Sequence, residues 1–353
     1  MDEEVFAPKP KEGEPWDVAI IGSGPASLTA AIYTTRGAVS TLILGGEKWG
    51  GQLMLTTEVD NYPAMPGIQG PELMQKMREH ATRFGGEFVE KSVEHVDFNK
   101  KPFELSAGGQ KYFARTVIIA TGALTRWLGV PGEKELIGRG VSSCAPCDAP
   151  FYKGKQVLVI GGGDSAMEEA LVLTKYATSV TIVHRKGEFR ASAAMQKKIF
   201  DAKVDVIWET EVTKVLGQEK LSAIRLKTKL DSRRAQELKD GKINNYKGKI
   251  IEEKEGFLFW EMPIEGVFVA IGHKPDTDVF KGPIELDQKG YVVVHDHTRT
   301  NLPGVYVAGD VHDYHYKQAV TAAGFGCMAA MDVLKYLDGL REKETQEKQS
   351  TGA

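Results

Sequence analysis

Val157-Leu158-Val159-Ile160-Gly161-Gly162-Gly163-Asp164-Ser165-Ala166 runs from apolar residues through three glycines into a helical pattern that continues to Tyr176. Four consecutive apolar residues suit a strand buried on both faces. The turn Gly161-x-Gly163 lets backbone approach a phosphate, and the following helix aims its N–H groups and positive end there. Ala166 is the small third position that lets helix lie close on strand. Val180–Val183 reads as the next strand, so the segment carries a complete β-turn-α-β dinucleotide fingerprint. An acid commonly ends that second strand. This chain offers His184-Arg185-Lys186 and then Arg190. Cations there suit a 2′-phosphate and favour NADPH over NADH. A solvated basic turn is the bland alternative.

A second copy lies near the N-terminus. Asp17-Val18-Ala19-Ile20-Ile21 is followed by Gly22-x-Gly24, the helical stretch Ala26–Arg36 and the strand Thr41–Leu44. Ser27 stands at the third position, where Gly or Ala is usual. Glu47 follows the second strand; it reads as a ligand of ribose hydroxyls or as a solvated loop carboxylate. Gly50-Gly51-Gln52-Leu53 and Glu58–Pro63 read as loops passing a flat ligand. Pro71–Phe84 has amphipathic helix spacing. Glu87–Phe98, Phe103–Ala107 and Lys111–Phe113 alternate as a small antiparallel sheet. Arg115–Ala120 is a further buried strand ending in Thr121-Gly122-Ala123, at the crevice where such sheets bind ligands.

Upstream of the complete fingerprint lies Cys144-Ala145-Pro146-Cys147-Asp148. Two-residue spacing lets the sulfurs close a small disulfide ring, and such pairs exchange electrons through thiolates. Asp148 is a candidate proton donor and acceptor. The competing reading is half a zinc knuckle. A structural zinc site needs about four ligands, and no second Cys pair exists, so no metal is expected. Three cysteines are too few for a stapled secreted fold. Cys327, among helical alanines, reads as a small buried residue.

Further along, Lys227–Lys254 is dense in charge and holds the turn signal Asp240-Gly241; it reads as an exposed hairpin or loop. Gly266–Ile271 is a buried strand. Gly304–Ala308 is another, followed by Gly309-Asp310, whose carboxylate suits a ribityl chain. Lys317-Gln318 lead into a helix over Ala319–Leu337, whose positive end suits a reduced flavin ring. A length of 353 residues favours two domains, and a net charge of −3 argues against nucleic acid or anionic membrane as partner. No apolar run approaches the ~18 residues of a membrane span. Met1–Glu14 does not resemble a secretory signal, so a cytoplasmic location is expected.

These elements predict an α/β fold of two Rossmann-like dinucleotide-binding domains, one inserted within the other. The expected division is a polar tail 1–14, a FAD domain 15–126, an NADPH domain 127–265 carrying the dithiol, the rest of the FAD domain 266–340, and a disordered polar tail 341–353.

The chain resembles the low-molecular-weight thioredoxin reductase family from Trp16 to Leu340. The matching pieces include Gly22-Ser23-Gly24-Pro25-Ala26, Gly51-Gln52-Leu53, Asn61-Tyr62-Pro63, Ala120-Thr121-Gly122-Ala123 and Cys144-x-x-Cys147-Asp148. They continue through Gly161–Ala166, His184-Arg185, Ala270-Ile271-Gly272-His273 and Ala308-Gly309-Asp310. The resemblance implies FAD on Gly22 to Ala26, Glu47, Gly51, Gln52, Leu53, Asn61, Ala120, Thr121, Gly122, Gly309, Asp310, Lys317, Gln318 and Ala319, with Cys144, Cys147 and Asp148 catalytic. It implies NADPH on Gly161, Gly163, Asp164, Ser165, Ala166, His184, Arg185, Lys186 and Arg190. A redox disulfide, a homodimer and a thioredoxin-like protein partner are implied too. So is a swing of the NADPH domain about hinges near Leu124–Pro131 and Pro263–Gly266, with Cys147 the sulfur nearer the flavin. Departures are Ser27, an extra Trp49, Lys186 and Lys317 in place of Arg, Pro146 between the cysteines, and the long charged insertion. Alternatives are a disulfide reductase with NADH or ferredoxin as donor or a glutaredoxin-like acceptor, and a flavin-binding redox sensor.

Overall fold

The computed structural model describes residues 7–56, 58–241 and 248–351. It divides into two compact units, Met1–Leu124 with Lys274–Ala353, and Thr125–His273.

In the first unit β1 (Trp16–Ile21), α1 (Pro25–Arg36) and β2 (Thr41–Leu44) form a strand-helix-strand with β1 and β2 parallel. Val18, Ala19 and Ile20 are wholly buried, which is why β1 reads as an unbroken apolar run. α2 (Gly70–Arg83) buries Leu73, Met74, Met77 and Ala81. β3 (Glu87–Val89) pairs parallel with β2, while β4 (Val93–Asp97) pairs antiparallel with β5 (Phe103–Ala107). The single strand expected over Glu87–Phe98 is thus two, and its first piece extends the parallel sheet. β6 (Gln110–Ile119) is one strand where two were expected, because Ala114 continues it without a turn residue. Its first half pairs with β5 and its second half with β1.

β7 (Ala123–Thr125) carries the chain across the unit boundary. The second unit contains β8 (Val141–Ser142), α3 (Ala145–Asp148), β9 (Gln156–Ile160), α4 (Asp164–Leu173), β10 (Ser179–Val183), α5 (Ala193–Asp201) and β11 (Asp205–Ile207). Then come β12 (Thr210–Gly217), β13 (Leu221–Lys229), α6 (Arg233–Lys239), β14 (Lys249–Lys254), β15 (Phe257–Pro263) and β16 (Gly266–Val269). A parallel sheet runs in the order β11-β10-β9-β16-β8, and an antiparallel one in the order β12-β13-β15-β14.

One expectation is corrected here and another is extended. The strand at Gly266 was assigned to the last domain, but β16 is buried between β9 and β8. The boundary therefore falls at His273/Lys274 and not at 265/266. The charged insertion, read as an exposed hairpin or loop, supplies the exposed strand of a hairpin and also holds a helix. Ser232 caps α6 by accepting the Ala235 N–H at 3.1 Å, and β14 forms a sheet edge against β15. Residues 242–247 of that insertion lie outside the described residues.

β17 (His273–Pro275) returns the chain, and β18 (Val305–Val307) joins β6 in parallel, so the first sheet runs β3-β2-β1-β6-β18 with β5 and β4 branching from β6. Each unit ties its own chain ends together. Asp276 N–H donates to the Gly122 carbonyl in the first, and Arg126 N–H to the Gly272 carbonyl in the second, both at 3.0 Å.

α7 (Ala319–Thr351) extends well past Leu337. The tail expected to be disordered after Arg341 is helical, and Glu344 accepts from Arg115 of β6 at 3.0 Å. Residues 1–6 of the other tail lie outside the described residues, as do 352–353. By length and composition α7 passes for a membrane span, contrary to the sequence expectation. Its Ala329, Ala330, Val333 and Leu337 are instead buried in the core that α1 also lines. α7 approaches α1 so closely that a Cβ on Gly326 would lie 2.1 Å from the Ala26 carbonyl oxygen. Backbone cannot yield there as a side chain would. Gly326→Ala is expected to destabilise the protein by about 1–3 kcal/mol. A lower urea midpoint at unchanged slope checks this.

Candidate active site

In the first unit the turn after β1 is held from several sides. A Cβ on Gly22, at φ +123°, would meet the Ala120 carbonyl oxygen at 2.2 Å, so only glycine lets β1 end this close to β6. Ser27 explains its own departure from the usual Gly or Ala. It is fully buried, and its hydroxyl donates to the same Ala120 carbonyl at 3.3 Å. Ser23 Oγ donates to the Gly45 carbonyl at 2.7 Å and accepts the Gly50 N–H at 2.9 Å, tying the turn to the loop that holds Glu47 and Gly51. The extra residue of that loop, Trp49, lies under the Arg78 guanidinium, whose carbon is 4.6 Å from the Trp49 ring and 4.0 Å from that of Phe88. Glu47 is exposed; the Ser92 hydroxyl at 2.5 Å holds its carboxyl below the usual range.

Other expected residues gather in this unit. Gln52 Nε2 donates to the Ala123 carbonyl at 3.5 Å, and Asn61 Nδ2 to Gln318 Oε1 at 3.2 Å. Leu53 lies in the short helical turn Gly51–Leu55. Thr121 Oγ1 donates to the Asp276 carbonyl at 2.6 Å. A Cβ on Gly309 would lie 2.9 Å from the Ala26 Cβ, which puts Asp310 beside the start of α1. Asp310 is half-buried as a residue, but desolvation of its carboxyl, with nearby Asp313, pushes its pKa up to about 7. Among the described residues its Oδ1 has no partner. Asp313 accepts the N–H groups of His315, Tyr316 and Lys317, forming the turn in which Lys317 sits at φ 48° before Ala319 opens α7. Gly24 and Gly122 have nothing within 4 Å of a Cβ position. Open glycine backbone, the free start of α1 with Pro25 in its first turn, and an orphaned buried carboxylate fit a flavin dinucleotide.

The second unit repeats the device. A Cβ on Gly161 would lie 2.5 Å from the Ala270 carbonyl oxygen and 2.6 Å from Ala166, while Gly163 is open. The basic loop is fastened to the turn, since the N–H groups of Arg190 and Ala191 both donate to the Gly162 carbonyl. Asp164 Oδ1 accepts the Ser192 N–H and hydroxyl, each at 2.9 Å, so this carboxylate fixes the end of the loop; Ser165 follows it, exposed. Arg185, Lys186 and Arg190 are exposed, and among the described residues none is in an ion pair. His184 departs from the expectation of a cation. The residue is only 6% exposed, with its ring beneath Gly162, where a Cβ would come within 2.2 Å of Cε1. Burial, then the charges of Arg190 and Arg185, lower its pKa, so it is a neutral prop for the glycine turn. The remaining cations fit a nucleotide phosphate.

Cys144 and Cys147 form a disulfide, with Cα atoms 5.3 Å apart, at the start of α3. Ser142 was not singled out from sequence. Its Oγ donates to Asp148 Oδ2 at 2.5 Å and accepts the Cys144 N–H at 3.1 Å. Burial raises the Asp148 pKa, against the lowering effect of that hydroxyl. A carboxyl of raised pKa next to a disulfide cysteine is a candidate to hold and pass a proton. Cys327, read as buried, is only half-buried, and its thiol helps to push the Tyr33 pKa up.

The pyridine nucleotide-disulphide oxidoreductase family matches residues 16–326. The thioredoxin reductase of Coxiella burnetii is 42% identical over 334 residues, 92% of this chain and 97% of that one. The solved thioredoxin reductase from Giardia duodenalis is 38% identical, with a TM-score of 0.80 over 92% of this chain and 99% of that one. The Lactococcus lactis thioredoxin reductase, solved in an FR conformation, is 35% identical with a TM-score of 0.58 over the same shares. A redox pair lodged in the nucleotide-binding unit, and likeness over nine-tenths of the chain, place this protein in the pyridine nucleotide-disulphide oxidoreductases, as a member of the low-molecular-weight thioredoxin reductase family.

Proposed function

We propose that the chain is an oxidoreductase that passes electrons from NADPH, through FAD and the Cys144–Cys147 pair, to the disulfide of a thioredoxin-like protein. The observation that carries this is the disulfide on α3, which lies in the same unit as the Gly161 turn and its basic loop. Bound FAD supplies a two-electron relay between nicotinamide and disulfide. The Gly22 turn and the start of α1 would hold its pyrophosphate, and Asp310 would accept hydrogen bonds from its ribityl hydroxyls. Arg185, Lys186 and Arg190 take the 2′-phosphate of NADPH, and the Gly161 turn with α4 takes the pyrophosphate. Asp148 holds and returns the proton of the thiol it adjoins.

Exchange with the partner conserves atoms and electrons. A thiolate of the reduced pair attacks one partner sulfur and the other partner sulfur leaves as a thiolate. The second thiol of the pair, deprotonated, then attacks the mixed disulfide. The Cys144–Cys147 bond re-forms and the partner departs as a dithiol. Turnover includes a swing of one unit against the other, hinged at Leu124/Thr125 and at His273/Lys274, the latter in place of the Pro263–Gly266 hinge expected from sequence. Support comes from the two solved relatives, which differ widely in TM-score at nearly equal identity, one of them titled by its conformation. Assembly as a homodimer is supported by exposed Tyr33, Val320, Met328 and Met331 on α1 and α7. A cytoplasmic location follows from the reduced partner this chemistry serves.

Stopped-flow mixing tests the reading. The yellow protein is expected to bleach on NADPH far faster than on NADH and to recolour on oxidised thioredoxin. Colour that persists with NADPH, or that does not return with thioredoxin, overturns it.

A further inference from the structure

α3 begins one residue after Cys144. A cysteine so placed ordinarily has its thiol pKa lowered by free helix N–H groups. Here those donors are occupied. Ala145 N–H donates to Oε2 of Glu169, which reaches over from α4. Pro146 has no N–H. The N–H groups of Cys147 and Asp148 both donate to the Cys144 carbonyl, at 3.3 and 3.1 Å. Ala145 is wholly buried, so solvent does not compete for its amide.

We propose that Glu169 is a positioning residue that keeps Cys144 a protonated thiol in the reduced pair. It engages the amide that would otherwise turn to that sulfur, and it sets a negative charge on the residue next to it. A thiol whose pKa is held up makes the pair more reducing. That property suits a pair whose task is to reduce another protein's disulfide. The inference rests on the redox reading above only in taking Cys144 to cycle between disulfide and thiol.

Alkylation tests it. The full-length enzyme is reduced with dithiothreitol, freed of reductant and treated with iodoacetamide across a pH series, and Cys144 and Cys147 are quantified separately by peptide mass spectrometry. Glu169→Gln removes only the charge. It is expected to move the Cys144 midpoint down by ~0.5 unit or more, a roughly threefold rise in thiolate below the midpoint. Glu169→Ala also frees the amide and is expected to move it further. Should Glu169→Ala fail to fold, Glu169→Gln carries the same readout alone. A Cys144 profile coincident with the parent's overturns the proposal. So does an equal shift at Cys147, because general loosening moves both. No nicotinamide or thioredoxin enters the assay, so this result and the stopped-flow result fail independently.

Discussion

Cys147→Ser is expected to yield a folded, yellow protein whose reduction of thioredoxin disulfide falls by at least about a thousandfold in kcat/KM. The substitution removes one sulfur and little else. Cys147 lies inside α3, and its N–H reaches the Cys144 carbonyl through backbone alone. Serine keeps that bond, so the fold should stand. The chemistry does not, because an alkoxide is a far poorer nucleophile and leaving group than a thiolate near neutral pH. Bleaching by NADPH should persist, since every residue assigned to the two dinucleotides is untouched. Two measurements check this: flavin content after gel filtration, and thioredoxin-linked reduction of a chromogenic disulfide. Thioredoxin reduction at the parent rate would break the proposed electron route.

Arg185→Ala is expected to raise KM for NADPH by about 10–100-fold, the loss of one charge-assisted phosphate contact, while KM for NADH moves by no more than about twofold. Three observations set this asymmetry. Arg185 is exposed at the end of β10, no carboxylate among the described residues neutralises it, and His184 beside it is a buried neutral ring. In the proposed reading, charge for the 2′-phosphate therefore comes from Arg185, Lys186 and Arg190. Lys186, a point charge without the planar fork of arginine, is a weaker substitute for the lost contact. Steady-state kinetics with both nucleotides provide the check. An equal change for both would remove the 2′-phosphate assignment.

The readable parts of this chain were those where local pattern and tertiary role coincide. The Val18–Ile20 and Val157–Ile160 runs announce strands buried on both faces, and they are central in their sheets. The glycines after them were legible because close backbone approach excludes other residues. What stayed hidden depends on long-range partners. Nothing in the string says that the Ser27 hydroxyl meets a carbonyl 93 positions later. His184 carries the spacing of a phosphate ligand, yet its ring fills the space that Gly162 leaves. The strand at Gly266 was recognised, but its place was misjudged because an apolar tetrapeptide does not name its neighbour; β9 claims it. The charged insertion hid α6 because polar composition masks a short capped helix, and it left hairpin and loop undecided because every residue of β14 is exposed. Glu169 had no signal, being one of two adjacent glutamates in a helix.

The paired hydrogen bonds at the two chain crossings bear on how such a gene is put together. Gly122 and Asp276 are bonded neighbours in the host, so a bridge of a few residues would close the gap left by excising 125–273. The excised segment likewise has its own ends joined through Arg126 and Gly272. Such a segment behaves as a cassette. Exchanging it between relatives would transplant nucleotide preference and dithiol together and leave the flavin-carrying host unaltered.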